Sequence, residues 1–397
     1  MNLSERIKQL SERYFDELLA TRRHLHSHPE LSFQEFETTK FIAEKLKTKG
    51  YDLEPITETG GYIDIKGKNP SSKIIALRGD IDALPILEQN DKVYTSQNKG
   101  VMHACGHDVH TTSLLGAIYI LDEIKDEFEG TIRCIFQPGE EKLPGGASIM
   151  IKNGVLENPR VEKIIGQHVM PLIEAGKVGF KSGMYMASAD EIYITVNGKG
   201  GHGAHPHQNI DPVAIAAQII TQLQTVVSRH AKPATPSVVS IGKVVANGAT
   251  NVIPNEVYME GTFRTFDEEW RMRAHKLIEK IATDTAEMHG ATCDAEVRKG
   301  YPFLKNDDDL ATKLRAWAVE YMGEENVEDL EIWPAGEDFA YYSQEIPACF
   351  YRLGTRNTAE GITSMLHTPT FDVDESALKI GAGLMAFLAV RELMDKD

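Results

Sequence analysis

The segment Ile74-Ile75-Ala76-Leu77-Arg78-Gly79-Asp80-Ile81-Asp82 places two carboxylates directly after a short apolar run. A run of this kind predicts a buried strand. In open α/β sheets, functional sites form beyond the carboxyl ends of such strands. The segment therefore predicts an α/β fold with Asp80 and Asp82 at the edge of a site.

Ionisable side chains follow two further predicted strands in the same way. The strand at 131–136 leads into Gln137-Pro138-Gly139-Glu140-Glu141, and the strand at 163–166 leads into Gln167-His168. Random placement of carboxylates and histidines would not favour three such strand ends. We therefore expect these side chains and the two aspartates to form one site.

A metal-binding motif is suggested by Met102-His103-Ala104-Cys105-Gly106-His107-Asp108-Val109-His110, between the first two of these strands. Gly106 has no Cβ, so a tight turn there can aim the Cys105 thiolate and the His107 imidazole at one point. Sulfur and nitrogen ligands together suit zinc or another first-row divalent ion. Alone, such a pair is more often a buried thiol beside a surface histidine, so the metal interpretation depends on its partners.

The chain supplies enough partners for a metal site, namely Asp80, Asp82, Cys105, His107, Glu140, Glu141, His168 and, near the C-terminus, His367. About three protein ligands hold one catalytic metal ion, and a pair of ions about 3.5–4 Å apart can share ligands. In the Glu140-Glu141 pair, one carboxylate can bind metal while the other acts as general base on a metal-activated water. This pattern predicts hydrolytic chemistry.

The order of predicted elements changes near residue 186. Strands are predicted at 191–196, 237–246, 256–265 and 292–298, and helices at 211–229 and 268–289. This β-α-β-β-α-β order is that of a ferredoxin-like module. Since 397 residues are more than one ordinary core needs, we predict a catalytic domain formed by 1–185 and 300–397, with 186–299 inserted into it.

The N-terminal region is predicted to hold two helices, at 4–26 and 33–49, followed by a pair of strands at 62–66 and 73–77. The strands would be joined by a short turn. Three histidines at the end of the first helix resemble a metal-binding tract, but they precede any strand that could fix them. We therefore do not expect ligands among His24, His26 and His28.

Composition and charge exclude several classes of protein. The net charge of -17 argues against a nucleic acid or an anionic membrane as partner. The four cysteines are widely spaced without a Cys-x-x-Cys, which is typical of a reducing compartment. No apolar run approaches the roughly 20 residues needed to cross a bilayer, and the N-terminus lacks a signal-peptide core. We predict a cytoplasmic protein without a membrane partner.

Five motifs, spread over the chain in the right order, resemble those of the M20 family of metallopeptidases. They are Arg78-Gly79-Asp80-Ile81-Asp82-Ala83-Leu84-Pro85, Cys105-Gly106-His107-Asp108, Pro138-Gly139-Glu140-Glu141, Gly200-Gly201-His202 and Gly336-Glu337-Asp338-Phe339. The best match is the amidohydrolase branch, which comprises hippurate hydrolases, N-acyl-amino-acid amidohydrolases and auxin-conjugate hydrolases. Arg22-Arg23-His24-Leu25-His26-x-x-Pro29-Glu30-Leu31 also fits this branch.

The resemblance implies a mixed-sheet, zinc-peptidase-like catalytic domain with an inserted ferredoxin-like lid and dimerisation domain. It implies hydrolysis of the amide bond of N-acyl amino acids, with N-acetyl, N-benzoyl or similar groups, through a metal-activated water. The implied partners are this small-molecule substrate and a second copy of the chain, as a homodimer or a tetramer. Which acyl group and which amino acid are preferred stays open.

The resemblance also assigns roles within the catalytic domain. Two divalent ions, with zinc, manganese, cobalt and nickel all open, would be bound by Cys105, His107, Glu141, His168 and His367. Glu140 would be the general base that passes a proton to the leaving nitrogen. Asp80 matches an aspartate that orients a metal ligand in wider relatives. The residue two positions earlier is a ligand histidine there but Arg78 here, for which we prefer a salt-bridging role.

In the inserted domain, His202 matches a lid histidine that stabilises the tetrahedral oxyanion, in its own subunit or in the partner. Charge that develops on the carbonyl oxygen needs such a positioned donor. Asn251 and Arg264 are candidates for binding the substrate carboxylate, for which a bidentate arginine is well suited.

Other functions remain open. A dipeptidase or an N-acetyl-diaminopimelate deacetylase would use the same family site. A thiol amidase would use Cys105 as nucleophile with a nearby histidine as base, and its activity would survive chelation. A non-catalytic homologue would only bind metal or peptide, and its properties would not depend on Glu140.

Overall fold

The computed structural model describes residues 2–395. The helices in this range are α1 (Leu3–Ser27), α2 (Phe36–Lys47), α3 (His107–Ile124), α4 (Gly146–Lys152), α5 (Pro212–Thr225), α6 (Glu268–Met288), α7 (Asp308–Met322), α8 (Ala340–Glu345) and α9 (Ala377–Met394). The strands are β1 (Gly61–Lys66), β2 (Ile74–Asp80), β3 (Thr131–Gln137), β4 (Lys163–Glu174), β5 (Val178–Phe180), β6 (Gly183–Met186), β7 (Ala189–Asn197), β8 (Gly201–His202), β9 (Ser237–Val245), β10 (Val252–Ile253), β11 (Glu256–Thr265), β12 (Thr292–Tyr301), β13 (Leu304–Asn306), β14 (Val327–Asp329) and β15 (Ala348–Arg356).

The chain forms two compact units. The first comprises Met1–Tyr185, Lys305–Ile332 and Tyr341–Asp397, and the second comprises Met186–Leu304 and Trp333–Ala340. The fold class is mixed α/β, as predicted. None of the described helices is long and apolar enough to span a membrane.

A seven-stranded mixed sheet, in the order β1-β3-β2-β4-β15-β5-β14, forms the centre of the first unit. Strands β3, β2, β4 and β15 run parallel, whereas β1 pairs antiparallel with β3. Both strands predicted at 62–66 and 73–77 are present, but they are not neighbours in the sheet, because β3 lies between β1 and β2. Every residue of β2 is buried, as a central strand requires, whereas buried and partly exposed residues alternate in β1 at the edge.

Helices α1, α3 and α9 pack against one another, and α3 and α9 also contact β2. Helix α9 is apolar on all sides and almost completely buried. Its packing against α3 is close: a Cβ on Gly116 would lie 2.6 Å from the Cβ of Ala382. This layer holds α3, whose first residue is His107, firmly against the sheet.

The second unit contains a four-stranded antiparallel sheet in the order β12-β7-β11-β9, covered by α5 and α6. If β7, β9, β11 and β12 are numbered 1 to 4 along the chain, their order in the sheet is 4-1-3-2, which is that of a ferredoxin-like module. Ile192, Ile194 and Val196 of β7 are buried in the core that these helices and the sheet enclose. A two-stranded ribbon of β8 and β10 completes the unit.

Candidate metal centre

Five side chains predicted to bind metal converge in the first unit. Cys105 Sγ lies 3.4 Å from His168 Nε2 and 3.3 Å from His367 Nε2. Glu141 Oε1 lies 3.3 Å from His367 Nε2 and 3.9 Å from His107 Nε2. Possible ligand atoms of Cys105, His107 and His168 lie within 4.8 Å of one another, and so do those of Cys105, Glu141 and His367. Cys105 therefore belongs to two overlapping triads of possible ligands.

The turn at Gly106 brings Cys105 and His107 to this point. Gly106 has a φ of 81°, in the left-handed region that favours glycine. A Cβ there would also lie only 2.4 Å from Cγ2 of Val169 on β4. The segment carrying His367 is fixed to the same turn, because the His367 N–H donates to the carbonyl of Ala104 at 2.8 Å.

His168 lies inside β4, although the sequence predicted a strand that ends before it. Strand β2 pairs with β4 only as far as Gly166, whereas β15 continues alongside to Met170. His168 therefore lies two residues past the last β4 residue that pairs with β2, level with Asp80 at the end of that strand. Its Nδ1 donates to the carbonyl of Val169 at 2.7 Å, which directs Nε2 towards Cys105.

The carboxylate that orients His107 is Asp82, whereas the sequence comparison gave the orienting role to Asp80. His107 Nδ1 lies 3.1 Å from Asp82 Oδ1 and 2.9 Å from the Asp82 carbonyl. The other carboxylate oxygen of Asp82 accepts from the Ser32 hydroxyl at 2.6 Å and from the Glu141 N–H at 3.0 Å. The orienting aspartate thus lies two positions later than expected, and the residue two positions before it is Asp80 rather than Arg78.

Asp80 Oδ2 also lies near His107, 3.7 Å from its Nε2, but the hydrogen bonds of Asp80 are with other residues. It accepts from Arg78 Nη1 at 2.5 Å and from His110 Nδ1 at 2.6 Å. His110 Nε2 in turn accepts from the N–H of Val169 at 2.9 Å, next to His168. Arg78 has the salt-bridging role that the sequence suggested. His110 had no predicted role, although its position one helical turn after His107 was a usable signal.

The chemistry of the donor set fits a divalent cation. His107 Nε2 and Glu141 Oε1 are buried and have no hydrogen-bond partner among residues 2–395. Buried polar atoms without partners are rare in folded proteins. A cation between imidazole, carboxylate and thiolate donors would satisfy both atoms, and the Asp82–His107 contact is typical behind a metal-binding histidine.

The electrostatics of the site also favour a bound divalent cation. Burial, and then the charges of Glu141, Glu140 and Asp80, raise the pKa of the Cys105 thiol well above its usual value. Burial lowers the pKa of His107, but Asp80, Asp82 and Glu141 outweigh it and raise that pKa to about 10. A thiol in this surrounding is a poor nucleophile without a cation beside it, which speaks against the thiol amidase.

Glu140 belongs to the same cluster. Its carboxylate lies within 4.8 Å of possible ligand atoms of His107 and Glu141. Only 6% of its surface is exposed. The loop after β3 therefore presents both carboxylates to one site, as the sequence predicted for a base beside a ligand.

The remaining predicted residues lie in the second unit. His202 and Asn251 are exposed at neighbouring positions of the β8–β10 ribbon, where Val252 pairs with His202. Arg264, on β11, is half-buried, and burial lowers its pKa. Within residues 2–395, no carboxylate forms an ion pair with it.

Known proteins match this chain over most of its length. The family model described as Peptidase family M20/M25/M40 matches residues 76–391. An N-acetyl-L-cysteine deacetylase of Bacillus subtilis (strain 168) is 40% identical over 382 residues, which cover 96% of this chain and 89% of that protein. An N-acyl-L-amino acid amidohydrolase of Geobacillus stearothermophilus is 44% identical over 306 residues, which cover 77% of this chain and 82% of that protein.

Among solved structures, a Bacillus subtilis protein described as a dinuclear metal binding peptidase from the M20 family has a similar fold. The TM-score is 0.82 at 37% sequence identity, and the match covers 96% of this chain and 99% of the other. The likeness therefore extends over both units and the candidate metal centre.

Proposed function

Because this chain belongs to peptidase family M20/M25/M40, we propose that it removes the acyl group from N-acyl amino acids at the centre formed by Cys105 and its neighbours. The chain is a metal-dependent amidohydrolase, and its relatives at 40% and 44% identity are named for the deacylation of N-acyl amino acids. The observation that carries the proposal is the convergence of the five candidate ligands with Glu140.

A pair of divalent ions, for which Cys105, His107, Glu141, His168 and His367 provide the ligands, would supply Lewis acidity, which lowers the pKa of water and polarises an amide carbonyl. Asp82 holds His107 in the tautomer whose Nε2 is free to bind. Arg78 and His110 hold Asp80 behind the site.

Glu140 is the proposed general base. It takes a proton from the attacking water as the carbon–oxygen bond forms, and it delivers that proton to the amide nitrogen as the carbon–nitrogen bond breaks. The products are the carboxylate of the acyl group and a free amino acid. Burial of Glu140 beside Glu141 supports this role, because a base in a water-poor site exchanges its proton with the substrate rather than with solvent.

The second unit is proposed to bind the rest of the substrate. His202 would donate to the oxyanion of the tetrahedral intermediate, from its own or from the partner subunit. Arg264 and Asn251 would bind the carboxylate of the amino acid. A half-buried guanidinium without an ion pair in the described part of the chain is suited to that task.

The decisive experiment combines a substrate screen with one substitution. N-acetyl and N-benzoyl amino acids should be hydrolysed, whereas dipeptides and N-acetyl-diaminopimelate test the nearest alternatives within the family. Glu140→Gln should abolish turnover while the metal content of the protein stays that of the wild type. Undiminished turnover in this variant would contradict the proposed base.

The identity of the metal, the oligomeric state and the location belong to the same proposal. A thiolate and three imidazoles favour zinc, with manganese, cobalt and nickel as the other candidates. We propose a homodimer formed through the second unit, and a cytoplasmic location in which the thiol of Cys105 stays reduced. Metal analysis of the active protein tests the proposed identity of the metal.

A further inference from the structure

We propose that Arg22 is a positioning residue that fixes the segment carrying His107 against the segment carrying His367. The inference rests on the metal centre of the proposed function. Arg22 opens the motif Arg22-Arg23-His24-Leu25-His26-x-x-Pro29-Glu30-Leu31, to which the proposed reaction gives no role. Its hydrogen bonds and ion pairs in the described part of the chain are with residues other than the candidate metal ligands, so an effect on the site would act through those residues.

The guanidinium of Arg22 joins three carboxylates. Its Nε donates to Asp108 Oδ2 at 2.8 Å, its Nη2 to Asp372 Oδ1 at 3.4 Å and its Nη1 to Glu375 Oε1 at 3.3 Å. Asp108 directly follows His107 on α3, and Asp372 lies five residues after His367. The Arg22 side chain is completely buried. Because its donors form a rigid planar fork, the group fixes a geometry that a point charge would not.

His26 extends the same network. Its Nδ1 lies 2.8 Å from Asp108 Oδ2, and its Nε2 lies 3.2 Å from Glu88 Oε1. Gln89 and Asn90, which follow Glu88, form hydrogen bonds with the segment that carries His367, residues 367–371. The Gln89 N–H donates to the carbonyl of Pro369, and Asn90 Nδ2 donates to the carbonyl of Phe371, both at 2.8 Å.

The His367 segment needs such support. His367 has a φ of 61°, in the left-handed region that residues with a Cβ rarely occupy. Such a conformation persists where the surrounding structure imposes it. Buried ion pairs contribute little net stability, but they can define one arrangement among several. We therefore expect the loss of the Arg22 fork to weaken metal binding more than it weakens the fold.

Arg22→Lys, which keeps the charge and removes the fork, tests the inference. Arg133→Lys is the matched control, because Arg133 is also fully buried and forms a bidentate pair with Asp64 at 2.8 and 2.9 Å. Cobalt(II) is titrated into each protein freed of metal. Binding is followed by the thiolate-to-cobalt charge-transfer absorption that Cys105 would produce, and folding is followed by circular dichroism.

We expect Arg22→Lys to bind cobalt about tenfold more weakly than the wild type, the lower end of what residues behind metal ligands typically contribute. Arg133→Lys should bind within about twofold of the wild type at a similar loss in melting temperature. If Arg22→Lys does not fold, Glu375→Gln weakens the contact with Arg22 Nη1 at a partly exposed residue, together with the two hydrogen bonds that Arg23 donates to Glu375, and it should weaken cobalt binding in the same direction.

Wild-type affinity in a folded Arg22→Lys protein, or an equal loss in Arg133→Lys, would overturn the inference. So would unchanged affinity in Glu375→Gln when the lysine variant does not fold. The readout does not depend on amide hydrolysis. A wild-type protein that binds cobalt with the thiolate absorption but hydrolyses no N-acyl amino acid would contradict the proposed function alone. Absence of that absorption in the wild type would overturn both.

Discussion

Asp82 accepts hydrogen bonds from three parts of the site, namely His107, the hydroxyl of Ser32 and the N–H of Glu141. Asp82→Asn replaces one acceptor oxygen by a donor, so at least one of these contacts is lost. We expect metal affinity to fall about 10- to 100-fold, the range typical of carboxylates behind metal-binding histidines. Competition with a chromogenic chelator measures this affinity.

Asp64→Asn is the control for that prediction, because Asp64, on β1, is also ion-paired, in its case with Arg133 on β3. It should change stability without changing metal affinity. If both variants kept the wild-type affinity, Asp82 would not act through His107. Asp80→Asn, measured alongside, compares the effect of Asp82 with that of Asp80, to which the family resemblance gave the orienting role.

Arg264 is the other residue whose role a single substitution defines. Arg264→Met should raise KM for an N-acetyl amino acid about 10- to 100-fold with little change in kcat, since a charge-assisted hydrogen bond contributes about 1.5–3 kcal/mol. Steady-state kinetics measure both constants. A substrate whose carboxylate is replaced by an amide should be insensitive to the change. Arg298→Met on β12 is the control, because Arg298 is exposed and already pairs with Glu296.

The residues of the site could be predicted from the sequence more completely than the contacts among them. Glu140 and Glu141 follow the end of β3, and Cys105 and His107 lie at the start of α3, and local pattern identifies such positions. His168 was found because a polar pair follows an apolar run, although β4 continues past it. The contact of Asp82, rather than Asp80, with His107 depends on side-chain direction at the end of β2. The sequence shows two aspartates two residues apart at a strand end, but it does not show which of them points towards His107.

At the scale of elements, periodicity predicted most helices and strands but not all their partners. The ferredoxin-like strand order of the second unit could be predicted from the sequence, because the order of strands and helices along the chain is that of a known motif. The pairing of β1 with β3 could not be predicted from the sequence. Two strands joined by a short turn predict a hairpin unless the full burial of one of them is recognised. The extension of β4 past Gly166 likewise depends on β15, which lies far away in the sequence.

A buried ion cluster joins three elements of the second unit and gives it a predictable response to acid. Asp190 of β7 pairs with Arg271 of α6 and with His275, and it accepts from the N–H of Gly300 on β12. Burial raises the pKa of Asp190, but Arg271 and His275 outweigh it, so the pKa is lowered. The ionised carboxylate therefore stabilises the folded state above the unfolded pKa of about 3.9, and this contribution is lost as the pH falls towards the lowered pKa.

Asp190→Asn should destabilise the protein by about 3–5 kcal/mol at pH 7, because it removes the buried charge that pairs with Arg271 and His275 and leaves Arg271 with Glu268 as its remaining carboxylate partner. The difference in unfolding free energy between pH 7 and pH 3.5 should be smaller than in the wild type. Urea unfolding at the two pH values measures both quantities. An unchanged pH dependence would show that Asp190 does not contribute to acid sensitivity.

At the scale of the whole molecule, the proposed homodimer needs an interface, and we consider the edge of the four-stranded sheet in the second unit. In the part of the chain that the structure describes, β9 has a strand neighbour on one side only. Val238 and Val244 on this strand are 44% and 51% exposed. An exposed apolar edge strand is usually covered, and pairing with the same strand of a second copy gives a closed two-fold interface.

Val244→Glu should therefore convert a dimer into a monomer, because pairing through β9 would then bury a carboxylate of each copy in an apolar interface. Light scattering after size exclusion gives the mass directly. Val93→Glu is the control, since Val93 is 93% exposed in the first unit and should leave the mass unchanged. A Val244→Glu protein that stays dimeric would place the interface elsewhere. If the variant is monomeric and retains its cobalt affinity but loses turnover, His202 acts on the partner's substrate, whereas an active monomer means that it acts within its own subunit.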